Sequence, residues 1–223
     1  MTVFLFDFDS TLVDLESLDF AAERALAGLD DREARVAEIE ALTRAGMEGE
    51  MDYGESLSRR VALARLTRRV TRDAAADIAE RVDPAMIELF AALRDSGAVI
   101  HIVSGGLRPL LEPAAQRLET APGNIFCNEP VWEGDLIAGV DREVPLSRSG
   151  GKAEIARRVK AGAPERRLVM IGDGATDLEA RAPGAADFMI GYGGVAVREA
   201  VQRGADMFAL TAETLAGACR GQL

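Results

Sequence analysis

One histidine and two cysteines in 223 residues leave little room for imidazole or thiol chemistry. The histidine, His101, lies inside the apolar run 98–103 and reads as a packed strand residue. Cys127 and Cys219 match no metal-ligand spacing, and two cysteines in a chain of this length do not make a disulfide framework. No apolar run approaches the roughly 20 residues that a membrane span requires. The chain enters an apolar strand at once, without the basic flank and small-residue cleavage site of a signal peptide. Positive charge is also short: 37 acids face 26 bases, for a net charge of −11. Such a chain lacks the basic face that nucleic acid requires, and neither nucleic acid nor membrane is expected as a partner. No pattern in the chain specifies an oligomeric state. The expectation is a cytoplasmic enzyme that works with carboxylates. An anionic substrate then has to be drawn in by a bound metal or by a few local bases.

What the sequence does have is acids at the ends of apolar runs. Val3-Phe4-Leu5-Phe6 is uniformly bulky, which suits a strand buried on both faces, and it stops at Asp7-Phe8-Asp9-Ser10-Thr11. In extended chain Asp7 and Asp9 leave on the same side, roughly 6–7 Å apart at Cα, while Phe8 turns the other way. Two acids there, with no base beside them, repel each other unless a cation intervenes. A divalent metal combined with a carboxylate nucleophile answers that need. Taken alone, Asp-x-Asp equally describes a solvated strand end or a helix cap.

Short apolar runs at Val3–Phe8, Ala98–Val103, Leu168–Ile171 and Phe188–Ile190, with a weaker one at Met207–Leu210, alternate with helical spacing such as Met86, Ile87, Phe90, Leu93 and Leu107, Leu111, Ala114, Leu118. Alternation of this kind predicts an α/β fold with a mainly parallel sheet and helices on both faces. Residues 14–82 break it with four helices in succession, marked by Leu18, Ala22, Ala25 and Leu29, then Val36, Ile39 and Thr43, then Leu57, Val61 and Ala64, then Ala75, Ile78 and Val82. Inserted straight after the first strand, this block is expected to form a helical cap domain, with 1–13 and 83–223 as the catalytic core. Asn124–Asp141, with its Glu133-Gly134-Asp135 turn, predicts a β-hairpin.

Three further clusters fall at predicted strand ends. Ser104-Gly105-Gly106 follows the second strand and is expected to open a helix, where a hydroxyl and backbone amides face an anion well. Lys152 follows Gly150-Gly151 at the head of another helix. Gly172-Asp173-Gly174-Ala175-Thr176-Asp177 adds two acids, the first flanked by glycines that permit close approach to an ion. Four clusters on the edge where open α/β sheets bind ligands make a coherent phosphoryl-transfer site. Asp7 is the candidate nucleophile and Asp9 the candidate acid and base, with Ser104, the Gly105 and Gly106 amides and Lys152 as candidate phosphate ligands. A phospho-accepting signalling module would use a similar set, but it lacks a reason for the helical insertion.

These four clusters, in order and spacing, resemble the four motifs of the haloacid dehalogenase superfamily in its phosphoserine phosphatase branch. The resemblance covers nearly the whole chain. It implies a Rossmann-like core and hydrolysis of O-phospho-L-serine, the last step of serine synthesis, through an aspartyl-phosphate on Asp7. It also implies Mg²⁺ held by Asp7, the Asp9 backbone carbonyl and Asp173, with Asp177 supporting the metal's waters or orienting Lys152. In the cap, Glu16 matches the family's ammonium-binding acid and Arg60 its carboxylate-binding arginine. Met47 and Tyr53 match apolar wall positions, Tyr53 departing from the usual phenylalanine with a hydroxyl expected to reach solvent or ligand. Thr176 and Arg198 are implied at the substrate end of the site. Transfer of the phosphoryl group to homoserine, or hydrolysis of another small phosphorylated metabolite, stays open beside phosphoserine hydrolysis.

Overall fold

In the computed structural model, which describes residues 1–223, strand β1 (Thr2–Phe6) is buried along its whole length. Its alternate side chains feed two different cores. Phe4 and Phe6 point into the larger one, where Phe6 meets Phe90 with ring centroids 4.7 Å apart, while Val3 and Leu5 point into the smaller one. Each such side chain contributes on the order of 2 kcal/mol of burial, so β1 is pinned between two layers and cannot slip by one residue.

Five strands join β1 in one parallel sheet: β2 (Val99–Leu107), β3 (Ile125–Asn128), β6 (Arg167–Gly172), β7 (Phe188–Tyr192) and β8 (Met207–Ala209), in the order β3-β2-β1-β6-β7-β8. Helices α5 (Pro84–Asp95), α6 (Arg108–Arg117) and α10 (Ala212–Arg220) contribute to the larger core, and α7 (Gly151–Gly162) and α9 (Glu199–Gly204) to the smaller. This is the expected α/β class. The chain builds outward on one side of β1 through β2 and β3, then returns to build the other side through β6. The carboxyl ends of β1 and β6 therefore flank a topological switch point, where ligands of open α/β sheets bind.

Between β1 and α5 come only helices: α1 (Ser17–Ala25), α2 (Arg32–Glu48), α3 (Tyr53–Ala64) and α4 (Arg68–Glu80). The two chain crossings into this segment run side by side, joined by an antiparallel bridge between Val13 and Val82 and by the Asp83 N–H donating to the Leu12 carbonyl at 3.2 Å. A second attachment comes from the hairpin β4 (Pro130–Glu133)–β5 (Leu136–Val140), which bridges Thr67 through Leu136 and places Arg68 over the Trp132 ring at 4.2 Å.

The sequence expectations need correction at three places. Leu29 lies beyond α1 and is exposed, since the helix stops at Ala25 and Gly28 takes a φ of 86°. The hairpin is shorter than Asn124–Asp141, because 125–128 leave it to pair with β2 as β3. Ser104-Gly105-Gly106 does not open a helix: β2 continues through it to Leu107, and α6 starts at Arg108. Across that stretch Val103 pairs with Phe126 but Leu107 pairs with Asn128, so the ladder is interrupted and the intervening peptides are released from it.

Candidate active site

Asp7 directly follows β1 and still donates its N–H to the Ile171 carbonyl of β6. Its Oδ1 accepts from the Phe8 N–H at 2.7 Å, which leaves Oδ2 aimed at the Nζ of Lys152, 2.8 Å away. The same ammonium donates to Asp177 Oδ1 at 2.6 Å, and Asp177 Oδ2 accepts from the Gly174 N–H at 2.9 Å. Lys152 is buried, and it is one of only two lysines among 26 basic residues. Arginine is the chain's ordinary cation, so a compact ammonium here reflects the narrow space between two carboxylates. Burial pulls the Lys152 pKa down, but Asp177 and Asp7 outweigh it and hold the pKa above the usual lysine value. Burial and the Asp7 charge push the Asp177 carboxyl up to about 7 against the pull of Lys152.

Carboxylate oxygens of Asp7, Asp173 and Asp177 all lie within 4.8 Å of one another, and all three residues are buried. Asp7 Oδ2 and Asp173 Oδ2 accept no aligned hydrogen bond. The Lys152 ammonium and the Arg198 guanidinium lie against these same oxygens, so the cluster already draws positive charge, and hard oxygen donors this close together fit a divalent cation. Asp177 is as near as the other two, but its oxygens are engaged by Lys152 and Gly174, which suits a supporting position. Asp173 also meets the Thr11 hydroxyl at 3.5 Å.

Asp9 points elsewhere. Its two oxygens accept from the N–H and the hydroxyl of Ser17, each at 3.0 Å, so the first turn of α1 fixes its rotamer. Burial, then the charges of Glu16 and Asp7, raise its pKa well above the carboxylate norm despite those bonds. Between Asp9 and Glu16 the chain turns sharply at Ser10, a non-glycine residue at φ 53°, and the Ser10 hydroxyl donates to Glu16 Oε1 at 2.8 Å.

One pocket collects most of the residues singled out from sequence: Asp7, Asp9, Glu16, Met47, Tyr53, Arg60, Ser104, Gly105, Gly106, Lys152 and Thr176 all line it. Arg60 is buried, donating from Nη1 to the Thr43 hydroxyl at 3.1 Å and standing 3.7 Å from Asp19, while its Nε has no partner. Thr43 in turn donates to Asp19 at 2.8 Å, and burial pushes the Asp19 carboxyl up to about 7. Two residues depart from expectation. Arg198 is not part of the pocket wall; its guanidinium lies against Asp173 and 3.7 Å from Glu16, drawn to the acidic cluster. The hydroxyl of the buried Tyr53 is turned to the backbone instead of solvent, donating to the Gly105 carbonyl at 2.8 Å. Sequence reading missed Ser17, Asp19 and Thr43 as supports, and Leu18, Leu57, Leu146 and Arg148 as further walls. Of these, only Ser17 carried a signal, as a hydroxyl opening a helix straight after Glu16.

Side chains that could offer other chemistry are out of play. Burial pushes the Cys127 and Cys219 thiols up to about 12, and His101 stacks on Phe126 in the sheet with its pKa lowered by burial.

A family model described as haloacid dehalogenase-like hydrolase matches residues 4–181. The chain belongs to the haloacid dehalogenase-like hydrolases. Membership of a hydrolase family favours an enzyme over the signalling-module alternative. It is 37% identical over 212 residues to the chloroplastic phosphoserine phosphatase of Arabidopsis thaliana, spanning 94% of this chain and 69% of that protein. Its fold matches a phosphoserine phosphohydrolase-like protein of Francisella tularensis with a TM-score of 0.87 at 29% identity, over 98% of this chain and 99% of that one. A phosphoserine phosphatase solved as a phospho-aspartyl intermediate analogue aligns with a TM-score of 0.79 at 26% identity, over 94% of this chain and 93% of the other. No helix of the haloacid dehalogenase-like chain is long and apolar enough to cross a membrane.

Proposed function

We propose that this chain hydrolyses O-phospho-L-serine to L-serine and phosphate, the last step of serine synthesis. One observation carries the reading. A single pocket is lined by Asp7, Asp9, Ser104 and Lys152 together with Glu16, Met47 and a buried Arg60. The first set suits the phosphate, and the second the amino-acid moiety, of one small zwitterionic ester. The relatives named as phosphoserine phosphatases support the same substrate.

In this reading an Asp7 carboxylate oxygen attacks phosphorus, the ester P–O bond breaks, and the seryl oxygen leaves with the proton held by Asp9. Water then attacks the aspartyl-phosphate, giving its proton to Asp9, and the Asp7–phosphorus bond breaks to release phosphate. Asp9 is held by Ser17 clear of the carboxylate cluster, and so serves as acid and base without moving far. Lys152 and Ser104 stabilise the charge of the transferring group. Asp7, Asp173 and the Asp9 backbone carbonyl would hold Mg²⁺, which when bound screens the repulsion between Asp7 and the incoming phosphate. Residues 14–82 act as a cap domain over a core of 1–13 and 83–223, contributing Glu16, Met47, Tyr53 and Arg60. A cytoplasmic setting belongs to the same proposal, supported by two buried, unpaired thiols.

The test is phosphate release from phosphoserine with Mg²⁺, with a chelator, and with homoserine added. Free phosphate is expected only with the metal and undiminished by homoserine. Phosphohomoserine accumulating at the expense of phosphate would replace hydrolysis by transfer.

Arg60 tests the amino-acid end. Its buried Nε has no partner, which supports a carboxylate as its ligand. Arg60→Ala is expected to lower kcat/KM for phosphoserine by about a hundredfold, from the loss of a charge-assisted pair, with a much smaller loss on an aryl phosphate. Equal losses on both would mean that Arg60 merely ties α1 and α2 to α3.

A further inference from the structure

The carbonyl of Gly105 carries an arrangement that phosphoserine hydrolysis as described does not use. It accepts two hydrogen bonds, from the Tyr53 hydroxyl and from Asn128 Nδ2, each at 2.8 Å. Tyr53 begins α3 in the inserted helical segment, whereas Asn128 ends β3 of the sheet. The other end of Tyr53 is held too: its backbone N–H donates to Ser149 Oγ at 3.0 Å, and Ser149 donates to Asp52 at 2.8 Å. Tyr53 is thereby fixed between the end of β2 that carries Ser104 and the turn that precedes Lys152. There is no slack at the contact, since a Cβ on Gly105 would lie 1.9 Å from the hydroxyl oxygen. Burial raises the phenol to about 12, so it remains a donor throughout the ordinary pH range.

In a trans peptide the C=O and the following N–H lie in one plane and point in opposite directions. Holding the Gly105 oxygen therefore fixes the direction of the Gly106 N–H, which donates to Ser104 Oγ at 2.9 Å. A peptide between two glycines has the least steric resistance to flipping, and the strand ladder is broken at this point. A flip would take the Gly106 N–H off the Ser104 hydroxyl and turn a carbonyl toward it, freeing Ser104 to rotate. Asn128 guards the same oxygen, but its amide is shared with the Leu146 carbonyl at 2.9 Å.

We propose that Tyr53 is a positioning residue for phosphoryl transfer: through the Gly105 carbonyl its hydroxyl keeps the Gly106 N–H donating to the hydroxyl of Ser104, a phosphate ligand in the reading above, and only while α3 is docked on the sheet. The ring forms pocket wall and the hydroxyl does a separate task, so docking of the helical segment and readiness of the anion-binding turn are one event. This rests on the phosphatase reading.

The experiment compares wild type with Tyr53→Phe on phosphoserine and on p-nitrophenyl phosphate, with inorganic phosphate as competitive inhibitor and the Gly106 amide followed by NMR. Loss of one hydrogen bond is expected to lower kcat about fivefold on both substrates. The Ki for phosphate rises by about the same factor, and selectivity between the two substrates stays within about twofold. The Gly106 amide resonance shifts and its hydrogen exchange accelerates. Unchanged kcat and Ki, or a loss confined to phosphoserine, would overturn the proposal. A wild type inert toward phosphoserine but active on the aryl ester would sink the substrate assignment alone, and the ratio on the aryl ester would still decide the role of Tyr53.

Discussion

Asp7→Asn is expected to abolish turnover while the protein stays folded. The amide keeps the shape of the carboxylate and can still meet Lys152 with its carbonyl oxygen, but it neither attacks phosphorus nor serves as an anionic metal ligand. Losing both functions removes several kcal/mol of transition-state stabilisation, so residual kcat/KM should fall below about one per cent of wild type. Stability should hold, because Lys152 keeps Asp177 as partner at 2.6 Å and the cluster of buried carboxylates loses one negative charge. Rapid acid quench followed by mass spectrometry gives the direct test. Wild type in steady state should carry the mass of one phosphoryl group on the peptide containing Asp7, and the variant none. A variant retaining more than about one per cent, or one labelled on another residue, would remove Asp7 from the covalent step.

The acidic strand ends are legible because their signals are local. An apolar run that stops at Asp7, and another that stops at Asp173 between glycines, declare both the strand and the chemistry at its exit within ten residues. The parallel sheet followed from the same runs. What stayed hidden depends on contacts between distant segments. The support of Arg60 by Asp19 and Thr43 joins three different helices, and nothing in any one helix marks Asp19 apart from a surface acid. The target of the Tyr53 hydroxyl lies 52 residues away, on a backbone carbonyl that no side-chain pattern encodes. Ser104-Gly105-Gly106 was misread as a helix start because glycines carry no hydrophobic period, so a strand continuing through a broken ladder looks the same as a turn. Arg198 reads from sequence as a substrate contact, yet the acidic cluster around Asp173 is the stronger attractor in space.

That acidic cluster sets the second large effect. Lys152 is buried between Asp7 and Asp177, and with Asp173 beside them three buried carboxylates depend on very few positive groups. Lys152→Ala leaves them uncompensated, at a cost of about 3–5 kcal/mol, which for a chain of this size lowers the metal-free melting temperature by about 10 °C. Added Mg²⁺ should recover part of the loss, because the variant has more unbalanced negative charge to offer it, and its stabilisation by the ion should exceed that of wild type. The pH dependence has a definite sign. Burial and the Asp7 charge already hold the Asp177 carboxyl up at about 7, and without the ammonium it binds a proton still more readily folded than unfolded, so the metal-free deficit should shrink as pH falls and be largest above neutrality. Activity is expected to drop by about two to three orders of magnitude even with metal, since a donor to the transferring phosphoryl group is gone. Lys152→Arg should not restore it: the planar guanidinium is larger than the space between oxygens that the ammonium spans at 2.8 and 2.6 Å. Melting curves with and without Mg²⁺ across pH, paired with phosphate release, decide the matter. A variant with an unchanged metal-free melting temperature would mean that Arg198 and solvent already balance the cluster, and that Lys152 serves the phosphate alone.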